Sequence, residues 1–275
     1  MTPEPTSEPL SVLTFNIGNP SRERAERQLA WLAERPEHVL VLTETADSKG
    51  CAFLTERFTA AGYGVTFPAP ESGERGVMIV SRLPSADATP VKVGYLPCRA
   101  VSASVQTAGG PLEVIGLYIP SRDATATKTD RKRRFLEECR AALPPADAAT
   151  ARVVIGDFNI LEPDHQPRYP FFRPFEYDFY RWLGKAGYRD AFRLLHPTAT
   201  EYSWVGRTGD GYRYDHAFVS GALEGEATGC AYVHETRTQT RLTDHSGLSL
   251  QLALLGAPPL LVSNPTAAPE PDTLF

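Results

Sequence analysis

Short apolar runs that each stop at a polar motif constrain this chain more than any other feature. Val39-Leu40-Val41-Leu42 stops at Thr43-Glu44, Leu112–Leu117 stops at Tyr118-Ile119-Pro120, and Val153-Val154-Ile155 stops at Gly156-Asp157-Phe158-Asn159. Leu10–Phe15 ends at Asn16, Arg213-Tyr214-Asp215 opens a further run, and Thr243-Asp244-His245-Ser246 precedes the last one. Runs of this length, bounded by turn-forming residues, read as strands. Strands that share a sheet would bring their polar ends to one edge, so the pattern predicts a sheet protein with its chemistry at that edge.

The remaining periodicity supplies the partners. Arg22 to Glu34 is amphipathic, with Leu29, Leu32 and Ala33 on one face, and Phe53–Ala60, Lys128–Leu143 and Tyr177–Ala186 also read as helices. Val65–Phe67, Gly76–Ser81, Ala100–Gln106, Tyr202–Trp204, Ala227–His234 and Leu248–Leu254 complete the strand content. Some strands alternate with helices and others come as hairpin pairs. The expected fold is therefore α/β (α+β), a four-layer α/β/β/α sandwich of two mixed, mainly antiparallel sheets packed face to face with helices outside. A chain of 275 residues can bury one large core. With no linker and no internal repeat, a single domain over 10–256 is expected, with disordered tails at 1–9 and 257–275, the latter rich in Pro and Ala.

Several function classes are disfavoured at once. A formal charge of −5 argues against a broad surface that coats nucleic acid, although it permits a local basic groove. Cysteines 51, 98, 139 and 230 are scattered without a Cys-x-x-Cys pair, so free thiols in a reducing compartment are expected. Met1-Thr2-Pro3-Glu4-Pro5 lacks the basic and apolar parts of a signal peptide, and no run approaches the ~18 apolar residues of a membrane span. The expectation is a cytoplasmic monomer with no membrane span.

The polar motifs together contain the parts for metal-assisted phosphoester hydrolysis: carboxylates for a divalent cation, amides for phosphate oxygens, and an imidazole beside a carboxylate. Scattered acids without a His-rich motif suit Mg²⁺, or Mn²⁺ in its place, better than Zn²⁺. Taken singly, Glu44 reads as a helix-start acid and Asp157 or Asn159 as an Asx-turn. Gly156 allows the chain to turn sharply there, so that Asp157 and Asn159 share one edge. A buried Asp215 needs a partner, and His245 is a good one because the pair orients the imidazole and favours its charged form. His216, one residue on, should point to the opposite face in a structural role.

In this order and spacing the motifs resemble the endonuclease/exonuclease/phosphatase superfamily, and within it the exonuclease III-like enzymes, over about Leu10 to Leu254. Gly187-Tyr188-Arg189-Asp190-Ala191-Phe192-Arg193, His196-Pro197, Tyr202-Ser203-Trp204 and Arg213-Tyr214-Asp215 look like the C-terminal half of abasic-site endonucleases. Tyr118-x-Pro120 points the same way. The resemblance implies that Glu44 is the principal metal ligand, with Asp244 direct or through water and Asn16 in support. It implies that Asp157 activates the attacking water, while Asn159 binds phosphate and holds Asp157. His245, backed by Asp215, would bind the phosphoryl oxygen, and Tyr118 would contact phosphate or assist the leaving oxygen. Arg122, Trp204 and Arg213 are the expected substrate contacts, and DNA is the expected partner.

The chain departs from the nuclease pattern in places. Thr43-Glu44-Thr45-Ala46 lacks the basic residue usual after the Glu, Gly18 replaces an Asp or Asn, Ser121 stands where an amide often follows, and Val205 to Tyr212 is short. These departures bear on abasic-site specificity rather than on hydrolysis. Two rival readings remain at this stage: a hydrolase of a small or lipid-linked phosphoester, and a non-catalytic binding module. Arg122, Lys128 and Arg131 to Arg134 could form a phosphate-facing flank or a solvated helix face. The aromatic-rich stretch from Tyr169 to Trp182 is expected to serve core and lid packing before base stacking.

Overall fold

The computed structural model describes residues 9–87, 90–147 and 149–267. In chain order the elements are β1 (Pro9–Asn16), α1 (Arg22–Ala33), β2 (Val39–Thr45), α2 (Lys49–Ala60), β3 (Gly64–Thr66), β4 (Gly76–Ser81), β5 (Ala100–Thr107) and β6 (Gly110–Tyr118). There follow α3 (Ala126–Ala142), β7 (Arg152–Asp157), α4 (Pro174–Lys185), β8 (Arg189–Asp190), α5 (Ala191–Leu195), β9 (Trp204–Val205) and β10 (Gly211–Tyr212). β11 (Asp215–Val219), β12 (Ala227–Val233), α6 (Glu235–Thr238) and β13 (Gly247–Leu255) complete the described chain.

Two sheets form, ordered β12-β13-β1-β2-β4-β3 and β5-β6-β7-β11-β8, with β10-β9 as a separate hairpin. Each sheet has one parallel pair, β1 with β2 and β6 with β7, among antiparallel neighbours. Alternation along the strands accounts for the four layers. Leu10, Val12, Val39, Val41, Val77 and Ile79 of the first sheet meet Leu112, Val114, Val153, Ile155, Ala217 and Val219 of the second in one buried seam. The residues between them face outward. Leu13, Phe15, Leu40 and Leu42 pack under α1 and α2, and Ile115, Leu117, Val154 and Phe218 pack under α3 and α4.

Gly116 explains how closely the sheets approach. A Cβ there would lie 2.6 Å from the Val77 Cγ1 and 2.7 Å from the Val41 Cγ1, so only hydrogen fits at that point of the seam. The two-sheet sandwich agrees with the sequence expectation, and the main differences lie at element ends. α2 starts four residues earlier than Phe53, because Ser48 caps it by accepting from the Cys51 N–H. The short α5 and α6 carry too few residues for a periodic signal.

Residues 257–267 depart from the expected tail. Val262 packs against the α1/α2 side, the Leu260 N–H donates to the Arg82 carbonyl, and Arg57 donates to the carbonyls of Pro265 and Thr266. Composition signalled disorder here, yet a buried guanidinium supplies donors for a chain with few side-chain contacts of its own. Residues 1–8 and 268–275, where the rest of both expected tails falls, lie outside the described residues.

Candidate active site

The inward alternation of the seam continues past its apolar part, and that continuation builds the site. Asn16 follows Leu10 and Val12 on β1, Tyr118 follows Leu112 and Val114 on β6, and Asp157 follows Val153 and Ile155 on β7. Registration aligns them: Tyr118 pairs with Asp157 across the parallel ladder, and Asp215 pairs with Asp157 across the antiparallel one. At one end of the seam, polar side chains thus replace Val, Ile and Leu.

Two backbone features aim these groups. Gly156 has φ +152°, and a Cβ there would fall 2.0 Å from the Leu117 carbonyl oxygen, which reserves the position for glycine. Glu44 and Asn159 hold φ of 58° and 49°, left-handed values that are uncommon for residues with side chains. Glu44 coincides with a register shift between β2 and β4, so its side chain leaves the regular alternation.

Asp157 is buried and held from two sides. The Asn16 Nδ2 donates to its Oδ2 at 2.9 Å, and the Asn159 backbone N–H donates to its Oδ1 at 2.9 Å. Asn16 is itself fixed, because its Oδ1 accepts from the Gly18 N–H at 2.9 Å. Asn159 is anchored through its Nδ2 to the Ile119 carbonyl at 3.1 Å. Its own carbonyl accepts from the buried Lys132 Nζ at 2.5 Å, and Lys132 is ion-paired with Glu176.

The His245 Nδ1 lies 2.8 Å from the Asp215 Oδ2. The Ser203 hydroxyl accepts from the Tyr214 and Asp215 N–H groups, and the Tyr232 hydroxyl donates to the Asp215 carbonyl at 2.7 Å. Asp157, Asp215 and His245 present ligand atoms all within 4.8 Å of one another. Asp244 is exposed and accepts from the Trp204 indole N–H at 2.8 Å.

Charge is unbalanced in this cluster. Burial raises the Asp157 carboxyl to about 7, helped by Asp215 and Glu44 and opposed by His245. Burial alone would lower the His245 imidazolium, but Asp215, Asp157 and Asp244 override it and lift the group to about 10. Burial also raises the Tyr118 phenol, with Glu44 and Asp157 adding to the effect. Three carboxylates (Asp157, Asp215 and Asp244) thus act on one imidazole, and Glu44 adds its charge beside Asp157. Among the described residues no donor reaches the Glu44 carboxylate, and the buried Asp215 Oδ1 has no hydrogen-bond partner. Spare anionic oxygens without a nearby thiolate are the donor set of a hard divalent cation, so the residues present fit such an ion.

Two of the three expected substrate contacts are corrected. Arg213 is fully buried on the flank, bonded to Glu162 at 2.8 Å and to Asp190 at 2.6 Å, and it cannot reach the cleft. Arg122 is ion-paired with Glu176 at 2.7 Å, bonds the Phe171 carbonyl and lies over the Phe171 ring. Trp204 does reach the cluster, through Asp244 and through a β-bridge to His245. On the basic stretch, Lys128 pairs with Asp123, Arg131 with Glu74 and Arg133 with Asp130, and Arg134 covers Tyr95. His216 faces away, 3.1 Å from the Ile160 carbonyl and 3.5 Å from Asp190, as its position predicted.

Sequence reasoning missed Arg99 and Lys132. Arg99 is buried with its guanidinium carbon 4.5 Å from the Tyr118 ring centroid, and it bonds the Tyr118 carbonyl. It sits in a 3-10 turn, Pro97–Arg99, without any motif around it. Lys132 was visible only as one of a basic run.

Such a cleft, with oriented carboxylates, a cationic imidazole and spare anionic oxygens at the end of a two-sheet seam, defines a divalent-metal-dependent phosphoester hydrolase. The comparisons give the family. The model of the endonuclease/exonuclease/phosphatase family matches residues 13–245, and the chain belongs to that family. It is 26% identical over 268 residues to exodeoxyribonuclease III of Haemophilus influenzae, covering 86% of this chain and 97% of that protein. Among solved structures, an AP endonuclease from Archaeoglobus fulgidus is similar at TM-score 0.74 and 24% identity, over 88% of this chain and 99% of that one. A 3′ phosphatase from Neisseria bound to product DNA hairpin is similar at TM-score 0.74 and 23% identity, with the same coverage of both chains.

Proposed function

We propose that this chain is a Mg²⁺-dependent, exonuclease III-like nuclease that hydrolyses DNA phosphodiester bonds by in-line attack of water, with Mn²⁺ able to replace Mg²⁺. The observation that carries the reading is Asp157, a buried carboxylate held from both sides beside a His–Asp pair. DNA as substrate is supported by the exodeoxyribonuclease III and AP endonuclease relatives and by the Neisseria enzyme bound to a DNA hairpin.

Each residue then takes a defined part. Glu44 and Asp244, with Asn16 alongside, would hold the cation, which when bound neutralises phosphoryl charge and stabilises the leaving oxygen. Asp157 accepts the proton of the attacking water as the new P–O bond forms and the bond to the leaving oxygen breaks. A carboxyl raised to about 7 is suited to that transfer near neutral pH. His245 stays cationic against Asp215 and donates from its Nε2 to a phosphoryl oxygen as charge builds there. Tyr118 keeps its proton and donates to phosphate or to the leaving oxygen. Asn159 holds Asp157 with its backbone and retains a second amide hydrogen for phosphate, while Trp204 contacts the substrate beside Asp244. The site is complete within one chain, which suits a monomer, and the free cysteines suit the cytoplasm.

The test is turnover of a labelled DNA duplex, compared with small and lipid-linked phosphoesters, in Mg²⁺, Mn²⁺ and EDTA. The nuclease reading expects cation-dependent DNA cleavage that Asp157→Asn and His245→Ala lower by orders of magnitude. Turnover of small esters alone would favour the rival phosphoesterase, to which the net charge of −5 is better suited.

A further inference from the structure

Arg99 is 6% exposed, yet the fold gives it no carboxylate of its own. The acid within reach, Glu74, is held by Arg131 at 2.5 Å, whereas Arg99 lies 3.5 Å from it. The Arg99 Nε is buried without a hydrogen-bond partner among the described residues. Burial pushes its guanidinium down and Arg131 adds to that, while Tyr118 and Glu74 oppose it. Arg213 shows what a structural arginine looks like in this molecule, with Glu162 and Asp190 both bound within 2.8 Å. A buried cation so loosely paired costs stability, and its place calls for another reason.

What Arg99 does hold is Tyr118. Its Nη1 donates to the Tyr118 carbonyl at 3.4 Å, and its guanidinium carbon lies 4.5 Å from the ring centroid, so one side chain grips both backbone and ring. The turn that presents Arg99 is fixed in its own right. Leu96 enters it at φ 54°, and the Arg99 N–H closes it on the Leu96 carbonyl at 3.0 Å. The Cys98 carbonyl sits against Gly76, where a Cβ would lie 2.7 Å from that oxygen, and Gly76 pairs with Thr45, next to Glu44. Arg99 is therefore anchored to the same edge as the Glu44 register shift. The charges around the phenol explain the need for it. Glu44 and Asp157 both act on the Tyr118 hydroxyl, and Arg99 opposes them. Unopposed, the two carboxylates would draw the phenol hydrogen to themselves. A guanidinium has donors and no acceptor, so it cannot take that hydrogen and leaves it for a phosphate oxygen. A cation beside the phenol oxygen also polarises the O–H bond and strengthens its donation.

We infer that Arg99 is a positioning residue for the hydrolysis: it holds the Tyr118 ring and keeps the hydroxyl hydrogen turned towards the reacting phosphoryl group. Its effect passes through the Tyr118 hydroxyl and through no contact of its own with substrate. The inference rests on the hydrolase reading given above, in which Tyr118 donates to the phosphate or to the leaving oxygen.

The experiment is a double-mutant cycle on the full chain with Mg²⁺ and a labelled DNA duplex, pairing Arg99→Met with Tyr118→Phe. Arg99→Met keeps the length and packing of the side chain without its charge or donors. Alone it should lower kcat by roughly 10–100-fold with KM nearly unchanged, the usual effect of losing a side chain that orients a reacting group. In the Tyr118→Phe background the same substitution should change kcat by less than about twofold, because the hydroxyl it serves is gone. If Arg99→Met does not fold, Arg99→Lys, which keeps the charge and loses the planar fork, carries the same cycle. A purely structural role would lower kcat equally in both backgrounds, and that result would overturn the inference. So would an Arg99→Met or a Tyr118→Phe enzyme with the full kcat of the wild type, or a loss confined to KM. A wild type that cleaves no DNA but turns over small phosphoesters would sink the nuclease reading alone, and the cycle is then read on the small ester. A wild type inert towards every phosphoester would sink both.

Discussion

Two buried clusters of charge, one on the flank and one at the cleft, use the same residue types to opposite ends. On the flank, Arg213 and Arg193 share Glu162, and Arg213 also binds Asp190. Burial alone would raise the Glu162 carboxyl, but the two arginines hold it at about 2, and Arg213 with His216 likewise lowers Asp190. At the cleft, three carboxylates share one imidazole with Glu44 close by, Asp157 is raised rather than lowered, and an Asp215 oxygen has no partner. Burial of charge is therefore common to both and identifies neither. What separates them is balance: neutralised charge holds the fold, and unneutralised charge is left for a cation and a phosphate.

The comparison can be broken at either cluster. Asp157→Asn should lower turnover by roughly 10²–10⁴-fold, the usual weight of a positioned base, while Tm stays within a few degrees of wild type. A Tm loss as large as that of the flank variants would show that Asp157 serves the fold. Arg213→Ala should cost about 3–5 kcal/mol, because two buried carboxylates lose their main cation, and urea unfolding measures it.

The stability lost in acid should come from the flank. Glu162 has a folded pKa depressed to about 2, so its contribution is present above the ordinary carboxylate range and is lost as pH falls through about 2. Stability measured from pH 5 down to pH 2 should drop by about 3 kcal/mol from this group, and Glu162→Gln should flatten that part of the profile. The smallest effect belongs to the cleft. A divalent cation at a hundred times its dissociation constant should add about 2.7 kcal/mol of stability to the wild type. Glu44→Gln should remove most of that gain, and an undiminished gain would place the cation elsewhere.

Much of this was legible because alternation along a strand is carried by the sequence itself. The parity that puts Val153 and Ile155 in the seam also puts Asp157 there, and the same argument sends His216 to the other face. Arg213 and Arg122 were misplaced because a cation announces its charge but not the position of its anions. Glu162 lies 51 residues before Arg213, and Glu176 lies 54 after Arg122. Arg99 was invisible for a related reason, since its place beside Tyr118 follows from a turn and a sheet edge rather than from spacing. Residues 257–267 misled through composition, because their order comes from Arg57 and the α1/α2 side rather than from their own side chains.

The Asn16–Asp157 hydrogen bond joins a strand of one sheet to a strand of the other. Turnover consequently acts as a vernier for how the two halves of the sandwich are aligned. A slide of even 1 Å between them would separate that pair while leaving each sheet's own ladder intact. Activity should therefore fade under mild denaturant before the far-ultraviolet signal of the strands does. Small shape errors at the Gly116 contact, remote from any phosphate, should register as lost catalysis.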